Sequence, residues 1–161
     1  MNKVRVIILA VLLSASACSP EAPSKSDEVR SQIVELASAR KKWLTYGGGQ
    51  QYSFEFERVC FCPFYGRIWH VEVRGTVANF YLVDDREPRS DRERDAWLIP
   101  TIPEIHDDIL RMIERNLSNS ATLSVQYHKQ FGHPTLVEWN AYPGGDDSFT
   151  LRISNVVIGK P

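Results

Sequence analysis

The chain has 161 residues, 43% of them hydrophobic and 24% charged, with 19 Lys and Arg against 20 Asp and Glu and a formal net charge of −1. That balance excludes the basic surface on which nucleic-acid binding depends, and no basic stripe recurs on any expected element. The length suits one domain with a substantial hydrophobic core.

The first eighteen residues carry the clearest instruction. Lys3 and Arg5 precede an unbroken apolar run from Val6 to Leu13, and Ser14-Ala15-Ser16-Ala17-Cys18 follows. This is the layout of a secretory signal peptide over residues 1–17. The run is too short to span a bilayer, which needs about 20 apolar residues. Ala15-Ser16-Ala17-Cys18 resembles the lipobox of bacterial lipoproteins, with Ala15 where most members carry Leu. The resemblance implies that Cys18 is lipidated and becomes the mature N-terminus. The competing reading is cleavage at an Ala-x-Ala site, after Ala15 or Ala17, which leaves Cys18 a bystander. Ser19 stands where an Asp would imply retention in the inner membrane, so the lipoprotein resemblance implies an outer-membrane anchor facing the periplasm in a host with two membranes. Loss of residues 1–17 removes Lys3 and Arg5 and leaves 144 residues with 17 basic against 20 acidic. No second long apolar stretch remains, so contact with a membrane is expected through the lipid alone.

Residues 18–26 are polar and contain Pro20 and Pro23, the composition of a flexible tether. A helix is expected to start with Ser26 as N-cap and Asp27 and Glu28 in its first turn. Val29, Ile33, Leu36, Ala37, Arg40 and Leu44 give it an inward stripe, and Gly47-Gly48-Gly49 stops it. Alternation predicts strands around Tyr52, Phe54 and Phe56, then around Trp69, Val71 and Val73, with a third over Val77–Val83. Ten of the twelve residues from Asp84 to Asp95 are charged, which reads as a solvated loop. Thr101 and Glu104 form a capping box that opens a second helix, with Ile102, Ile105, Ile109, Met112, Ile113 and Leu117 on its core face. Three more strands follow, through Leu123–Tyr127, Thr135–Trp139 and Phe149–Ile153, the last two joined by a turn at Pro143–Asp147.

The expected fold is therefore α+β: residues 27–161 form one domain in which an antiparallel sheet carries two helices on one face. The order is compatible with a tandem helix-plus-three-strand repeat. The letters support it at one place, where Phe64–Glu72 lies over Gln130–Glu138 with an aromatic-Gly turn and a Val-Glu pair in common.

Two cysteines remain beyond Cys18, in Val59-Cys60-Phe61-Cys62-Pro63. Residues i and i+2 of a strand lie about 6.6 Å apart, whereas disulfides prefer Cα atoms about 5.5–6 Å apart. Cys60 and Cys62 therefore bridge only if the strand bends into the following turn. A local disulfide leads; reduced core-facing thiols, and a redox or metal role, stay open. With Pro63–Gly66 as the turn, Cys62 falls opposite Arg67 and Cys60 opposite Trp69, and His70 points to the other face. That register argues against a Cys-Cys-His metal site.

The remaining polar candidates read as structural. His106, Asp107 and Asp108 fall in the first turn of the second helix, where acids complement the dipole. His128 and His133 flank an exposed-looking loop without a partner at ligand spacing. Glu55 and Glu57 fit solvent-facing alternation. No Gly-rich phosphate loop, nucleophile elbow or zinc spacing is present, so no catalytic residue, metal ligand or cofactor is assigned.

The segment Tyr52–Pro63 resembles a family of exported bacterial proteins known only as a domain of unknown function. His70-Val71-Glu72-Val73-Arg74, Thr101-Ile102-Pro103-Glu104, Tyr127 and Gly132-His133-Pro134-Thr135 follow in the family's order. The resemblance spans roughly residues 42–155, with Cys-Phe-Cys-Pro as its most specific part and the charged run at Asp84–Asp95 as a departure from it. It implies a lipoprotein or secreted protein and supplies no mechanism. The expectation is a lipid-anchored envelope protein that binds an envelope protein or ligand, without enzymatic activity and without nucleic acid. A thiol–disulfide or metal-handling protein centred on Cys60 and Cys62 is the alternative.

Overall fold

Ser24, rather than Ser26, opens the first helix. The computed structural model describes residues 24–47, 51–60, 66–83, 85–89, 99–118, 121–141 and 147–159; Cys18 and the signal and lipobox residues lie outside them. The Ser24 hydroxyl accepts a hydrogen bond from the Asp27 N–H at 3.3 Å, so helix α1 runs Lys25–Tyr46 and takes in the last two residues of the expected tether. Its far end closes where the Gly47 N–H donates to the Trp43 carbonyl at 2.7 Å.

The inward face of α1 is Val29, Leu36, Ala39 and Trp43. The expected stripe is thus corrected on one side: Ile33 is 43% and Leu44 70% exposed, and Ala37 is exposed. Two adjacent rows of α1 are compatible with helical spacing. The row carrying the Trp43 ring, the largest apolar group available, is the one buried.

Among the described residues, seven antiparallel strands follow the chain as β1 (Tyr52–Cys60), β2 (Ile68–Arg74), β3 (Val77–Leu82) and β4 (Asp85–Arg89), then β5 (Thr122–Tyr127), β6 (Pro134–Asn140) and β7 (Phe149–Ile158). Between β4 and β5 stands helix α2, Ile102–Ser118. The sheet order is β4-β3-β2-β1-β7-β6-β5. Thr101 caps α2 as expected: its N–H and Oγ1 both donate to Glu104 Oε2, at 2.7 and 2.8 Å. Ile102, Ile105, Ile109, Met112 and Ile113 are buried. They join Phe54, Phe56, Val71, Phe80, Val137 and Leu151 of the sheet in one core. Both helices therefore cover one face, and the α+β expectation holds. Among the described residues, no helix is long and apolar enough to cross a membrane.

Two details differ from expectation. Asp85–Arg89, inside the charged run read as a loop, forms β4 at the sheet edge. An edge strand tolerates Pro and charge because only one of its sides joins the ladder, so composition misled there. The β1–β2 register is also displaced: Trp69 lies opposite Phe56, four residues before Cys60. β1 outlasts its pairing with β2 because β7 supplies a partner on the other side, and Cys60 lies opposite Phe149. The displacement is an even number of residues, so each side chain keeps its expected face.

The repeat holds only as an element order. Each half is a helix followed by a meander, and both meanders advance the same way across the sheet, β1 to β3 and β5 to β7. β1 and β7 pair antiparallel, so β5 runs opposite to β1. No rotation superposes the halves while keeping both helices on the shared face, so the letter match does not extend to a superposable repeat.

Two further features shape the sheet. A bulge interrupts the β1–β7 ladder between Ser53 and Glu55, where Asn155 takes a positive φ of 51° and its Nδ2 donates to Glu55 Oε2 at 2.8 Å. Asn is among the few residues that adopt this conformation readily. Gly132, in the β5–β6 connection, lies directly on α1. At its φ of +76°, an added Cβ would meet the Ala39 carbonyl oxygen at 2.1 Å and Lys42 Cβ at 2.8 Å.

Gly132→Ala is expected to lower stability by about 3 kcal/mol or more, through backbone strain together with a clash that α1 cannot yield to. Gly66→Ala has a similar φ of +68° but meets nothing within 4 Å, and is expected to cost about 1 kcal/mol. Urea unfolding of both variants measures the difference; equal losses would contradict the docking of the hairpin on α1.

Candidate binding cleft

β1 places alternate side chains on the helix side of the sheet. Tyr52, Phe54 and Phe56 are buried there, and Arg58 is next in the same phase. A guanidinium therefore occupies a core-facing position at the strand's end. It lies beside a cleft of about 540 Å³ whose apolar lining is Phe56, Ile99, Pro100, Met112, Phe149 and Leu151. One flank of α2 supplies the polar wall, with Glu104, Asp108, Arg111 and Arg115 brought to one side by the helical repeat.

The charges on this wall are unequally engaged. Glu104 Oε2 is held by the cap at Thr101. Asp108 pairs with Arg111 one turn along. Arg58 lies against the Phe149 ring, its guanidinium carbon 4.8 Å from the ring centroid, a cation–π contact. Among the described residues, its buried Nε has no hydrogen-bond partner. Burial holds the Arg58 pKa below the ordinary arginine value, and the charge of Asp108 acts in the opposite sense. An unmatched buried donor costs roughly 1–3 kcal/mol, so the cleft wall carries a fixed cation that the fold alone leaves incompletely satisfied.

Sequence reasoning missed Arg58 as a site residue. The signal was available: it is the charged residue in phase with Phe54 and Phe56. The residues that were singled out distribute elsewhere. Cys60 ends β1 half-buried and is disulfide-bonded; its expected partner Cys62 lies outside the described residues. His70 is on the outer face, opposite Glu55, with its ring stacked 4.9 Å from Tyr81. Glu57 pairs with Arg152 at 3.0 Å. Among the described residues, no group of three His, Cys, Asp or Glu side chains is arranged to hold a metal ion.

The histidines of the second half need correction. His106 is not a solvated cap residue and His133 is not at an exposed loop: they are 2% and 4% exposed. Docking of the Gly132 turn on α1 buries both. His106 Nε2 lies 3.1 Å from the Gly132 carbonyl oxygen. His133 stacks on His128, with 4.8 Å between ring centroids, and meets the edge of Trp43. Asp107 instead pairs with Arg40 of α1, tying the two helices together. No sequence spacing announces this cluster, because it assembles from α2 and a hairpin brought together only by the fold.

Nearly every residue described above falls within one stretch that matches a known family, residues 35–158, from the middle of α1 to the last residue of β7. The chain belongs to the family of unknown function DUF6174. No curated protein and no solved structure matches it. Arg58, the cleft, Cys60, Cys62 and the histidine cluster all lie within the DUF6174 match, and Cys18 lies before it.

The cluster makes stability depend on pH. Burial lowers the His106 pKa from 6.5 to about 4, with its bond to Gly132 raising it and Arg40 lowering it. Burial, then His128 and His106, lowers that of His133 to about 4. The unfolded chain therefore binds more protons than the fold between pH 4 and 6.5, and the stability present above pH 6.5 is lost as pH falls through that window. Urea unfolding at pH 7 and pH 4 is expected to differ by on the order of 5 kcal/mol, roughly half from each of these two groups, and His106→Gln is expected to reduce the slope. A flat profile would contradict the burial of the pair as neutral rings.

Proposed function

We propose that this protein is a lipid-anchored bacterial envelope protein that acts as a binding module, with Cys18 as the acylated residue and the Arg58 cleft as its binding site. The observation that carries the binding reading is the Arg58 guanidinium, held against Phe149 in the wall of a cleft of about 540 Å³. A cation held among apolar side chains in the wall of a cavity of that size is suited to receiving a ligand. The N-terminal signal and lipobox-like residues support the anchor, and the absence of Asp at position 19 favours the outer membrane facing the periplasm.

A thiol–disulfide role is the second reading, favoured by the half-buried, oxidised Cys60. Under the binding reading, Cys60 and Cys62 form a local staple next to the cleft strand. It is suited to an oxidising compartment.

Cells fed an alkyne fatty acid are expected to label the wild-type protein and retain it in the membrane fraction, while Cys18→Ser is unlabelled and released. An unlabelled wild type would overturn the anchor. Replacing Cys60 and Cys62 together by Ser is expected to cost about 1–2 kcal/mol of stability, the loop-entropy value for so short a ring. The wild type is expected not to accelerate insulin reduction by dithiothreitol; acceleration that the double variant loses would establish the redox reading instead.

A further inference from the structure

We propose that the outer row of α1, Arg30, Ile33, Val34, Ala37, Lys41 and Leu44, lies on an anionic lipid surface, its apolar side chains at the headgroup boundary and its two cations on lipid phosphates. The proposal rests on acylation of Cys18 and goes on to name the face that the anchored domain turns to the membrane. These residues recur at intervals of three and four, so they form one stripe along the helix. All of them are exposed, Val34 at 64% and Leu44 at 70%. Neighbouring positions are occupied by the protein itself. Val29, Leu36, Ala39 and Trp43 enter the core, Arg40 pairs with Asp107 of α2, and Lys42 donates to the Lys129 carbonyl at 2.9 Å.

Position and charge choose the occupant. Only residues 18–23 connect an acylated Cys18 to Ser24, the cap of α1. That length reaches at most roughly 20 Å when fully extended. It is less than α1 itself, whose 22 residues span about 33 Å. The anchor therefore holds the start of α1 within one helix length of the bilayer. The stripe carries two cations and no acid. Glu35 turns to the groove beside Tyr127 and Lys129, Glu28 accepts from Gln32, and Asp27, ahead of the stripe, is held by the Ser24 hydroxyl at 2.6 Å. Apolar side chains interleaved with long cationic ones suit the interface, where Arg and Lys stems lie along the apolar boundary and their heads reach phosphate. A second copy of the chain suits the stripe less. A symmetric pairing would set Arg30 and Lys41 of both copies in one seam with no acid of the row to meet them.

This orientation leaves the Arg58 cleft uncovered. Glu104, Asp108, Arg111 and Arg115 turn one flank of α2 to the cleft, whereas Asp107 turns to α1. The cleft and α1 thus lie on opposite flanks of α2, and a membrane under α1 does not close the cleft.

The test uses the full chain, acylated in cells and placed in vesicles of mixed phosphatidylcholine and phosphatidylglycerol. The photoreactive residue p-benzoylphenylalanine replaces Val34, Leu44 or Val157 in turn. Val157 is 52% exposed and points away from the helices, since its neighbours Val156 and Ile158 pack against the core. Irradiation is expected to give at least about tenfold more lipid adduct at Val34 and Leu44 than at Val157. Arg30→Gln with Lys41→Gln is expected to lower the Val34 adduct by about fivefold for each cation, the equivalent of about 1 kcal/mol, with an unchanged melting temperature. In vesicles of phosphatidylcholine alone the same pair should have little effect.

Other outcomes overturn the proposal. Equal lipid adduct at all three positions, or none at Val34 and Leu44 in protein that carries the fatty acid, removes the face and leaves the anchor standing. Dimer-sized adducts in place of lipid adducts assign the stripe to a second copy instead. An undiminished adduct in the Arg30 and Lys41 variant overturns the choice of an anionic surface. Wild-type protein without the fatty acid overturns the anchor and this proposal with it, and alkyne labelling at Cys18 reads that outcome independently of any photoadduct.

Discussion

The pairing of β1 with β7 is the constraint on which the rest of the molecule depends. Every other strand pair in the sheet joins neighbours in sequence; this one joins the first strand to the last. Without it the chain holds two separate meanders, each with one apolar face too small to bury alone. With it, the two faces become one floor under α1 and α2, and the core is continuous from Phe80 to Leu123. Such a contact closes a long loop, so it is expected to form late and to hold the two halves together cooperatively.

The same pairing builds the cleft. It extends β1 beyond its register with β2 and brings Arg58 beside Leu151 and Cys60 beside Phe149. The guanidinium and the ring it rests on come from opposite ends of the domain, and neither has the other as a neighbour until the sheet closes. Stability and binding therefore draw on one element in opposed ways. Tyr52, Phe54 and Phe56 contribute burial, and two residues further along, the same face of the strand carries a charge, Arg58, that the core does not neutralise.

Much of the fold was legible because local signals were strong. The Thr101–Glu104 capping box and the isoleucine spacing defined α2, and period-two alternation found six strands. What was illegible depended on competition between elements. The rows carrying Ile33 and Trp43 are equally good helical stripes until the tertiary packing chooses one. The charged segment Asp85–Arg89 violates strand composition and is admitted only because it lies at an edge. The register of Cys60 could not be read, since a strand leaving β2 early requires knowing that β7 waits on its other side. His106 and His133 are buried by a glycine that lets a hairpin touch a helix backbone, and single-residue spacing holds no trace of that approach.

The account makes Arg58 a residue kept for a ligand. The most direct measurement is urea unfolding of the Arg58→Met variant beside the wild type, both as full chains. Met at this position is expected to match or exceed the stability of the wild type, because an apolar chain of similar length suits the apolar side of the wall better than an incompletely satisfied cation. A loss of about 2 kcal/mol or more in Arg58→Met would contradict the claim, because it would make Arg58 a residue that the fold itself requires.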